Sequence, residues 1–314
     1  MRLTHSRAVA LMVLVTLLWS IAGMVTRHLE AARSFEVTFW RSLFNVAALL
    51  LALGWMRGLG GPRGLLAEFR RGGWALWASG LCWAVMYTNF MLAITMTSVA
   101  TVLITMSIAP LLTALFARLF LRHRLPARTW LAITVAGLGI AWMFGEQALA
   151  SGADPRALQG ALVALGVPIA GASNWTLLQW LHQRHAADPA IAEPEMLPAV
   201  LIGALISCAV TLPPALPLAA TAHDLWLLAG LGVFQLAIPC LLAVWLTKVL
   251  PAPEISLLAL LEVVFGVLLA WIGAGEAPGA TALQGGALVI GALLANELLG
   301  LRQRRDASIA AAAG

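Results

Sequence analysis

Residues 98–121 read SVATVLITMSIAPLLTALFARLFL, residues 122–124 read RHR, and residues 129–144 read TWLAITVAGLGIAWMF. A helix needs about 20 mostly apolar residues to cross a bilayer. Two such runs joined by a short basic turn are typical of a hairpin of membrane-crossing helices. The stretch therefore predicts one building block of a polytopic membrane protein, with Pro110 in the middle of its first helix.

The same pattern returns 153 residues later in the chain. A run at 255–272 is followed by a short polar turn and by a second run at 283–301. At this offset Glu262 stands where the first copy has Ala109. Identical residues are sparse, so the spacing carries the interpretation that the chain consists of two related halves, each a set of membrane helices.

The composition agrees with a membrane as the solvent. Of the 314 residues, 61% are hydrophobic and 11% are charged, whereas a soluble domain carries about 25% charged residues. The mean hydropathy is +0.91. Long apolar runs without alternation exclude barrel strands and leave α-helices, because every backbone polar group in hydrocarbon must be bonded within its own segment. The net charge of +5 comes from basic residues in short turns, so we expect no nucleic-acid partner.

Ten runs are long and apolar enough to cross the bilayer, which predicts an all-α integral membrane protein with ten transmembrane helices. We number them spans one to ten, and they lie at 8–25, 35–56, 73–94, 98–121, 129–144, 157–180, 196–216, 225–246, 255–272 and 283–301. Cys82, Cys208 and Cys240 all fall within these runs. We expect them to be small buried residues and not disulfide partners or metal ligands.

The basic residues predict the orientation, because Lys and Arg accumulate in cytoplasmic loops. With the N-terminus inside, fifteen Lys and Arg residues fall on the inner side, and three, Arg27, Arg33 and Arg156, fall on the outer side. Both termini are therefore expected to be cytoplasmic. Each half has five spans, an odd number, so the second half enters the membrane from the opposite face and the repeats are inverted. Inverted repeats are typical of carriers whose two halves rock around a binding site near the bilayer midplane.

We expect four regions along the chain. Residues 1–145 form the first five-helix repeat, and residues 157–305 form the second. Residues 146–156, with Gly, Ser, Asp and Pro, form a periplasmic linker between them. Residues 306–314 form a disordered tail.

Several short motifs resemble those of the EamA-type branch of the drug/metabolite transporter superfamily, a group of ten-helix bacterial carriers. They are Leu18-Trp19-Ser20, Phe39-Trp40-Arg41, Thr97-Ser98-Val99-Ala100 followed by Ala109-Pro110, Leu261-Glu262-Val263-Val264-Phe265, and Gly275-Glu276. Their order covers nearly the whole chain. The resemblance implies a multi-pass protein of the bacterial inner (plasma) membrane that exports small metabolites. Within the branch the chain most resembles amino acid exporters and, more narrowly, aromatic amino acid exporters.

Two ionisable side chains lie deep within spans, where each costs roughly 2.5–3.5 kcal/mol on insertion scales. Glu262 is near the centre of span nine, and Arg41 lies about a third of the way into span two. Two interpretations of Glu262 stay open: a site role, as a proton carrier or the partner of a substrate ammonium, and a structural hydrogen bond to a neighbouring helix. For Arg41, a structural ion pair or a bond to a backbone carbonyl is favoured over direct contact with substrate.

Uncharged polar side chains interrupt spans three, six and eight, which help to line the central cavity in the resembled family. They are Tyr87, Asn89, Asn174, Gln179 and Gln235. Each one alone is as well explained by a hydrogen bond that holds two helices together. As a set they predict a substrate site.

Two tryptophans lie farther inside their spans than Trp55, Trp74, Trp130, Trp142 and Trp226, which lie at segment ends, as an interfacial belt requires. They are Trp19 in span one and Trp175 in span six, which correspond in the two halves. With Tyr87 and Met106 they are predicted to flank an apolar or aromatic group of the substrate. Plain packing is the alternative.

Three prolines, Pro110, Pro168 and Pro239, fall in the middle of spans four, six and eight. A mid-span proline frees backbone groups, which a membrane tolerates only beside a neighbouring helix or a wet cavity. These prolines are predicted either to be hinges for alternating access or to shape the bundle.

The absence of certain motifs excludes ATP as the energy source and argues against a catalytic or metal site. The only lysine is Lys248, so no Walker A motif exists and ATP does not drive the protein. All six histidines lie in loops or at helix ends, and no metal-ligand motif is present. We therefore expect no catalytic residue, no metal and no cofactor.

We interpret the chain as a secondary transporter in the lipid bilayer that exports amino acids with apolar or aromatic side chains by alternating access. The substrate carboxylate needs donors such as Asn89, Asn174, Gln235 or Arg41, and its ammonium needs an acceptor such as Glu262. Proton coupling is left open. A proton-coupled exporter of drugs or other metabolites is the alternative on the same scaffold, and an integral membrane enzyme is the alternative from another class.

Overall fold

The computed structural model describes residues 3–57, 62–97, 99–122, 125–151, 155–188, 194–274 and 279–313. Across these ranges the chain is almost entirely helical, and ten segments are long and apolar enough to cross a membrane. The all-α fold with ten spans is confirmed. The motif Gly275-Glu276 lies outside the described residues.

The first half contains spans one to five. Its helices are α1 (His5–Thr26), α2 (Ser34–Arg57), α3 (Pro62–Arg71), α4 (Gly73–Met96), α5 (Val99–Met106), α6 (Ala109–Phe120) and α7 (Ala127–Ser151). Span four consists of α5 and α6. Helix α3 is a short extra helix that the hydropathy pattern does not predict. It is tied to α4 because the Trp77 indole N–H donates to the Phe69 carbonyl, at 3.3 Å.

The second half contains spans six to ten. Its helices are α8 (Pro155–Ala187), α9 (Leu197–Ala215), α10 (Ala222–Gly230), a π-helical segment (Leu231–Ala237), α11 (Ile238–Leu246), α12 (Ala252–Ala259), α13 (Leu261–Ala274) and α14 (Ala280–Ala313). Span eight consists of α10, the π-helical segment and α11, and span nine of α12 and α13. Helix α14 continues through most of residues 306–314, the segment for which the sequence predicts disorder.

Spans four and nine are each broken near the middle, and the two breaks agree with the offset of 153 residues. Helix α5 ends at Met106 and α12 ends at Ala259. Pro110 stands in the first turn of α6, where its missing N–H costs nothing. The expectation of a proline inside a continuous helix was therefore wrong for Pro110, which begins a half-helix. The break at Leu260 forms without a proline.

Helix α4 lies at the centre of the bundle, packed against α8 and α9. Two glycines let the backbones of α4 and α9 approach. A Cβ on Gly80 would lie 2.8 Å from Cβ of Ile202, and a Cβ on Gly203 would lie 3.0 Å from the Gly80 carbonyl oxygen. Helices α7 and α14 pair with each other.

Three hydroxyls tie α2, α4 and α9 together. The Ser42 and Ser207 hydroxyls are 3.1 Å apart, and the Thr88 hydroxyl donates to the Ser207 hydroxyl at 3.0 Å. Ser42 and Thr88 directly follow Arg41 and Tyr87 in the chain. The hydroxyl cluster therefore sets the register that brings Arg41 to Tyr87.

Candidate functional site

Arg41 is the most unusual side chain of the interior, because a full charge lies within the membrane at 2% exposure. Its Nη2 donates to the Tyr87 carbonyl at 3.3 Å. In the described part of the chain no carboxylate forms an ion pair with Arg41, and its Nε has no hydrogen-bond partner. The predicted bond to a backbone carbonyl is present, but it satisfies only part of the guanidinium.

Asn45 lies one turn after Arg41 on α2 and is fully buried. Among the described residues neither atom of its amide has a hydrogen-bond partner, and the same holds for the Tyr87 hydroxyl. Tyr87 neighbours Asn45 and Cys240, but the geometry forms a hydrogen bond with neither. The sequence analysis missed Asn45, although its i+4 spacing from Arg41 on an apolar helix is a signal for it.

Gln235 lies on the π-helical segment and contacts α1. Its Nε2 donates to the Trp19 carbonyl at 3.3 Å, and its Oε1 is unpartnered within the described residues. Pro239 follows four residues later and disturbs helical bonding, since it has no N–H and its ring clashes with the carbonyl four residues back. Single π-helical turns are frequent at functional sites.

Gly232 allows the π-helical segment to touch α2. A Cβ at this position would lie 2.6 Å from Cβ of Phe44, 2.8 Å from the Asn45 amide nitrogen and 2.9 Å from the Arg41 carbonyl oxygen. Two of these three atoms belong to the backbone and cannot move aside. The absence of a side chain at Gly232 therefore brings span eight next to Arg41 and Asn45.

Glu262 lies in the first turn of α13 and is half-buried. Its charge interacts with that of Arg41 and with Cys240, but it makes no contact ion pair with Arg41 in the described structure. The two side chains thus interact electrostatically without direct contact.

Three aromatic side chains form a continuous wall. The rings of Trp83 and Tyr87 are 5.6 Å apart, and those of Trp83 and Trp175 are 5.5 Å apart and nearly perpendicular. The Trp83 indole N–H has no acceptor among the described residues. Trp83 was missed from the sequence, because only the helix packing shows that it lies between the two predicted aromatics.

Asn174 is fully buried beside this wall, at the residue before Trp175. Its Oδ1 accepts a hydrogen bond from the Ser79 hydroxyl at 2.6 Å. Its Nδ2 has no partner in the described ranges. Half of its amide is thus committed to holding α8 against α4, and the other half is available.

The other predicted site residues lie elsewhere or hold helices together. Asn89 donates to the Val163 carbonyl at 3.1 Å and so faces α8. Met106 packs against a separate apolar cluster of Ala93, Val102 and Ala164. Gln179 accepts a hydrogen bond from the Ala252 amide at 2.8 Å, at the start of α12. Pro168 lies inside α8 as predicted.

The site therefore combines a buried cation, a carboxylate, unpartnered amides and an aromatic wall. Each buried polar atom without a partner costs about 1–3 kcal/mol, and native structures contain few of them. Those of Asn45 and Tyr87 lie next to Arg41 and need a functional explanation.

Ten helices long and apolar enough to cross a membrane, found in the described residues around a buried polar cluster, are typical of a multi-pass membrane transporter. The sequence pattern of the EamA-like transporter family matches residues 6–145 and 158–296. The chain therefore belongs to the EamA-like transporter family, whose members are transporters of the drug/metabolite transporter superfamily. The family pattern thus matches the chain twice, once in each of these two segments.

Solved structures show the same fold. One similar chain, described as "Crystal structure of protein", has a TM-score of 0.74 and 20% sequence identity, over 94% of this chain and 99% of that chain. At this identity the likeness extends to the fold alone. No curated protein matches the chain.

Proposed function

We propose that the protein is a secondary transporter that exports zwitterionic metabolites, namely amino acids with apolar or aromatic side chains, from the bacterial cytoplasm. One observation carries this proposal. Arg41 lies buried without an ion-pair partner among the described residues, and the neighbouring Asn45 and Tyr87 carry polar atoms that are also unpartnered there.

The two charges suit the two ends of a zwitterion. The guanidinium of Arg41 is planar and forms paired hydrogen bonds with a carboxylate. Glu262 is the acceptor for the ammonium, because its charge interacts with that of Arg41 although the two side chains make no contact ion pair. In this arrangement the substrate lies between the two charges.

The aromatic wall is the surface for the rest of the substrate. Trp83, Trp175 and Tyr87 present rings to one another at 5.5 and 5.6 Å. Aromatic pairs at such distances are stabilised by about 0.5–1.5 kcal/mol beyond their area. A substrate with an aromatic ring extends this stack, whereas a polar side chain leaves its own groups unpaired there.

The broken spans are the moving parts of this proposal. Spans four and nine each consist of two half-helices, and both breaks lie at equivalent positions of the two repeats. In transporters with inverted repeats, discontinuous helices border the midplane site, and one repeat rocks against the other. We assign the same role to α5 with α6 and to α12 with α13.

Glu262 also supports a second candidate, a proton-coupled exporter of cationic drugs. A half-buried carboxylate within a span is a usual proton carrier. The two candidates differ in the role of Arg41, because a buried guanidinium binds a substrate carboxylate but repels a cationic substrate. Competition by zwitterions and by organic cations therefore separates them.

The test is uptake of radiolabelled amino acids into liposomes that contain the purified protein, with and without an imposed proton gradient. We expect saturable uptake of aromatic amino acids that other zwitterions inhibit. In Arg41→Lys we expect uptake to fall at least tenfold (on the order of 1.4 kcal/mol), since a lysine keeps the charge but loses the paired donors. Exposed Arg33 provides the matched control, Arg33→Lys. Inhibition by organic cations alone would transfer the assignment to the drug exporter.

A further inference from the structure

A groove runs along the outside of the bundle between α7 and α14. The helices meet at both of its ends. At one end a Cβ on Gly139 would lie 2.8 Å from the Gly285 carbonyl oxygen, and at the other the Thr129 hydroxyl bonds to Asn296 Oδ1 at 3.1 Å. Between these contacts the side chains are small, and they leave a groove of about 320 Å³.

The floor of the groove on α14 is open to the surrounding bilayer. Ala287, Gly291 and Ala295 are all exposed and follow one another at intervals of four residues. A Cβ on Gly291 would meet no atom within 4 Å. The rim is apolar, with Leu131 on one side and Leu288 on the other, both exposed. The groove therefore accommodates an apolar chain that lies along the helices.

The length of the groove equals about one leaflet of the membrane. Its lining on α14 extends from Ala287 to Leu299, which is about 18 Å at 1.5 Å per residue. The hydrocarbon core of a bilayer is about 30 Å thick, so one leaflet contributes about 15 Å. A chain that fills the groove thus begins at one membrane surface and ends near the midplane.

The surface end of the groove carries a positive charge. Arg128 lines it at the start of α7 and is half-buried, and its Nη2 would lie 3.2 Å from a Cβ on Gly300. The guanidinium is thereby held against α14 at Gly300. The other end of the groove, at Ala287, is apolar. This polarity matches a molecule with an anionic head and a long apolar tail.

We propose that the groove between α7 and α14 binds one anionic phospholipid, with its phosphate on Arg128 and an acyl chain along Gly291. Arg128 lies at the end that the arginine count predicts to be cytoplasmic, so the lipid belongs to that leaflet. A second copy of the chain fits this face less well. In a two-fold dimer the same face meets itself, so both copies of Arg128 lie in one interface.

The test is native mass spectrometry of the full-length protein after detergent delipidation and addition of equal amounts of phosphatidylglycerol and phosphatidylethanolamine with distinguishable masses. We expect one phosphatidylglycerol to bind in preference to phosphatidylethanolamine. In Arg128→Gln this preference falls about fivefold, the effect of one basic residue at a membrane surface, and Arg128→Lys retains most of it. In Gly291→Leu the side chain fills the groove, and binding of both lipids falls.

Matched controls make the test specific. Arg302 is exposed one turn beyond the Arg128 end of the groove and does not line it, so Arg302→Gln removes the same charge nearby. A Cβ on Gly137 also meets no atom within 4 Å, so Gly137→Leu adds the same bulk elsewhere on α7. Both controls are expected to bind like the wild type.

Three results overturn the proposal. An equal loss in Arg302→Gln assigns the preference to diffuse surface charge. Unchanged lipid binding in both Arg128→Gln and Gly291→Leu, with each variant monodisperse, removes the groove as the site. Absence of bound lipid together with a dimer that Gly291→Leu dissociates assigns the groove to a second copy of the chain.

Discussion

Glu36 on α2 and Asp224 on α10 form reciprocal hydrogen bonds, since each carboxylate binds the backbone just before the helix that carries the other. Glu36 Oε1 accepts hydrogen bonds from the amides of Ala219 and Ala220, both at 2.8 Å, just before α10. The Asp224 carboxylate accepts from the amides of residues 30–32, at 2.7, 3.0 and 2.9 Å, just before α2. The connection before α2 and the connection before α10, one from each half, are thus fastened to each other.

Asp224→Asn is expected to loosen this connection. The carboxylate faces four backbone N–H donors, including that of Thr221, and an amide replaces one accepting oxygen by a donor. At least one buried N–H then loses its acceptor, at a cost of about 1–3 kcal/mol. We expect a lower thermal midpoint of the detergent-solubilised protein. The control is Glu30→Gln, because exposed Glu30 accepts only from the Thr221 hydroxyl among the described contacts; equal midpoints in the two variants would refute the argument.

Gly232→Ala tests the contact between the π-helical segment and α2. The added methyl collides with backbone atoms of Arg41 and Asn45, and overpacking of this kind costs about 1–3 kcal/mol. Because the collision is at the site, we expect substrate affinity and thermal midpoint to fall together. In Gly230→Ala, two residues earlier, the methyl meets no atom within 4 Å, and the midpoint should stay or rise. A tolerated Gly232→Ala would show that the segment is free to shift.

Much of the fold follows from the sequence because membrane helices are local structures. The number of spans follows from apolar length, and the offset of 153 residues places the ends of α5 and α12 at equivalent positions. The break of span nine at Leu260 was not predicted, since no proline or glycine marks it. Pro110 was assigned to the middle of one long helix, whereas it begins a half-helix. Hydropathy does not distinguish one long helix from two half-helices.

The site was predicted only in part, because side-chain direction depends on helix packing. Arg41 and Glu262 were predicted as candidates because a charge in an apolar run is visible in the sequence. Asn89 was included with Tyr87 although two residues on a helix point to different faces, and it bonds to α8. Trp83 was missed because its place between Tyr87 and Trp175 depends on how α4 packs against α8.

Glu262→Gln tests coupling to protons. The variant keeps the size and one acceptor of the side chain but cannot exchange a proton. If Glu262 carries the proton, the transport rate of the variant should depend much less on pH than that of the wild type. Glu195→Gln, an exposed carboxylate outside the spans, should retain the wild-type profile. An unchanged profile in Glu262→Gln would leave Glu262 with only its electrostatic role beside Arg41.

Pro110→Ala tests whether the break in span four must be maintained. Alanine restores an N–H that is able to bond to the Met106 carbonyl and continue α5 into α6. We expect slower transport with an unchanged or higher thermal midpoint, because the half-helices lose their independence. Pro198→Ala is the matched control, since Pro198 also lies in the first turn of a helix, but α9 is unbroken. Equal transport rates for Pro110→Ala and the wild type would argue against a hinge.

Asn45→Leu separates a functional polar group from a structural one. The two side chains have the same number of heavy atoms, and Asn45 is fully buried with both amide atoms unpartnered among the described residues. If Asn45 only packed, the leucine would be nearly neutral for transport. A buried polar residue that serves to bind substrate instead reduces the stability of the substrate-free protein. Its desolvation penalty is offset only when substrate supplies the missing hydrogen bonds. We therefore expect Asn45→Leu to raise the free energy of unfolding by about 1–2 kcal/mol, and with it the thermal midpoint by several degrees. We also expect it to abolish saturable uptake. A variant with both a lower midpoint and unchanged uptake would instead place Asn45 among the groups that hold α2 in position.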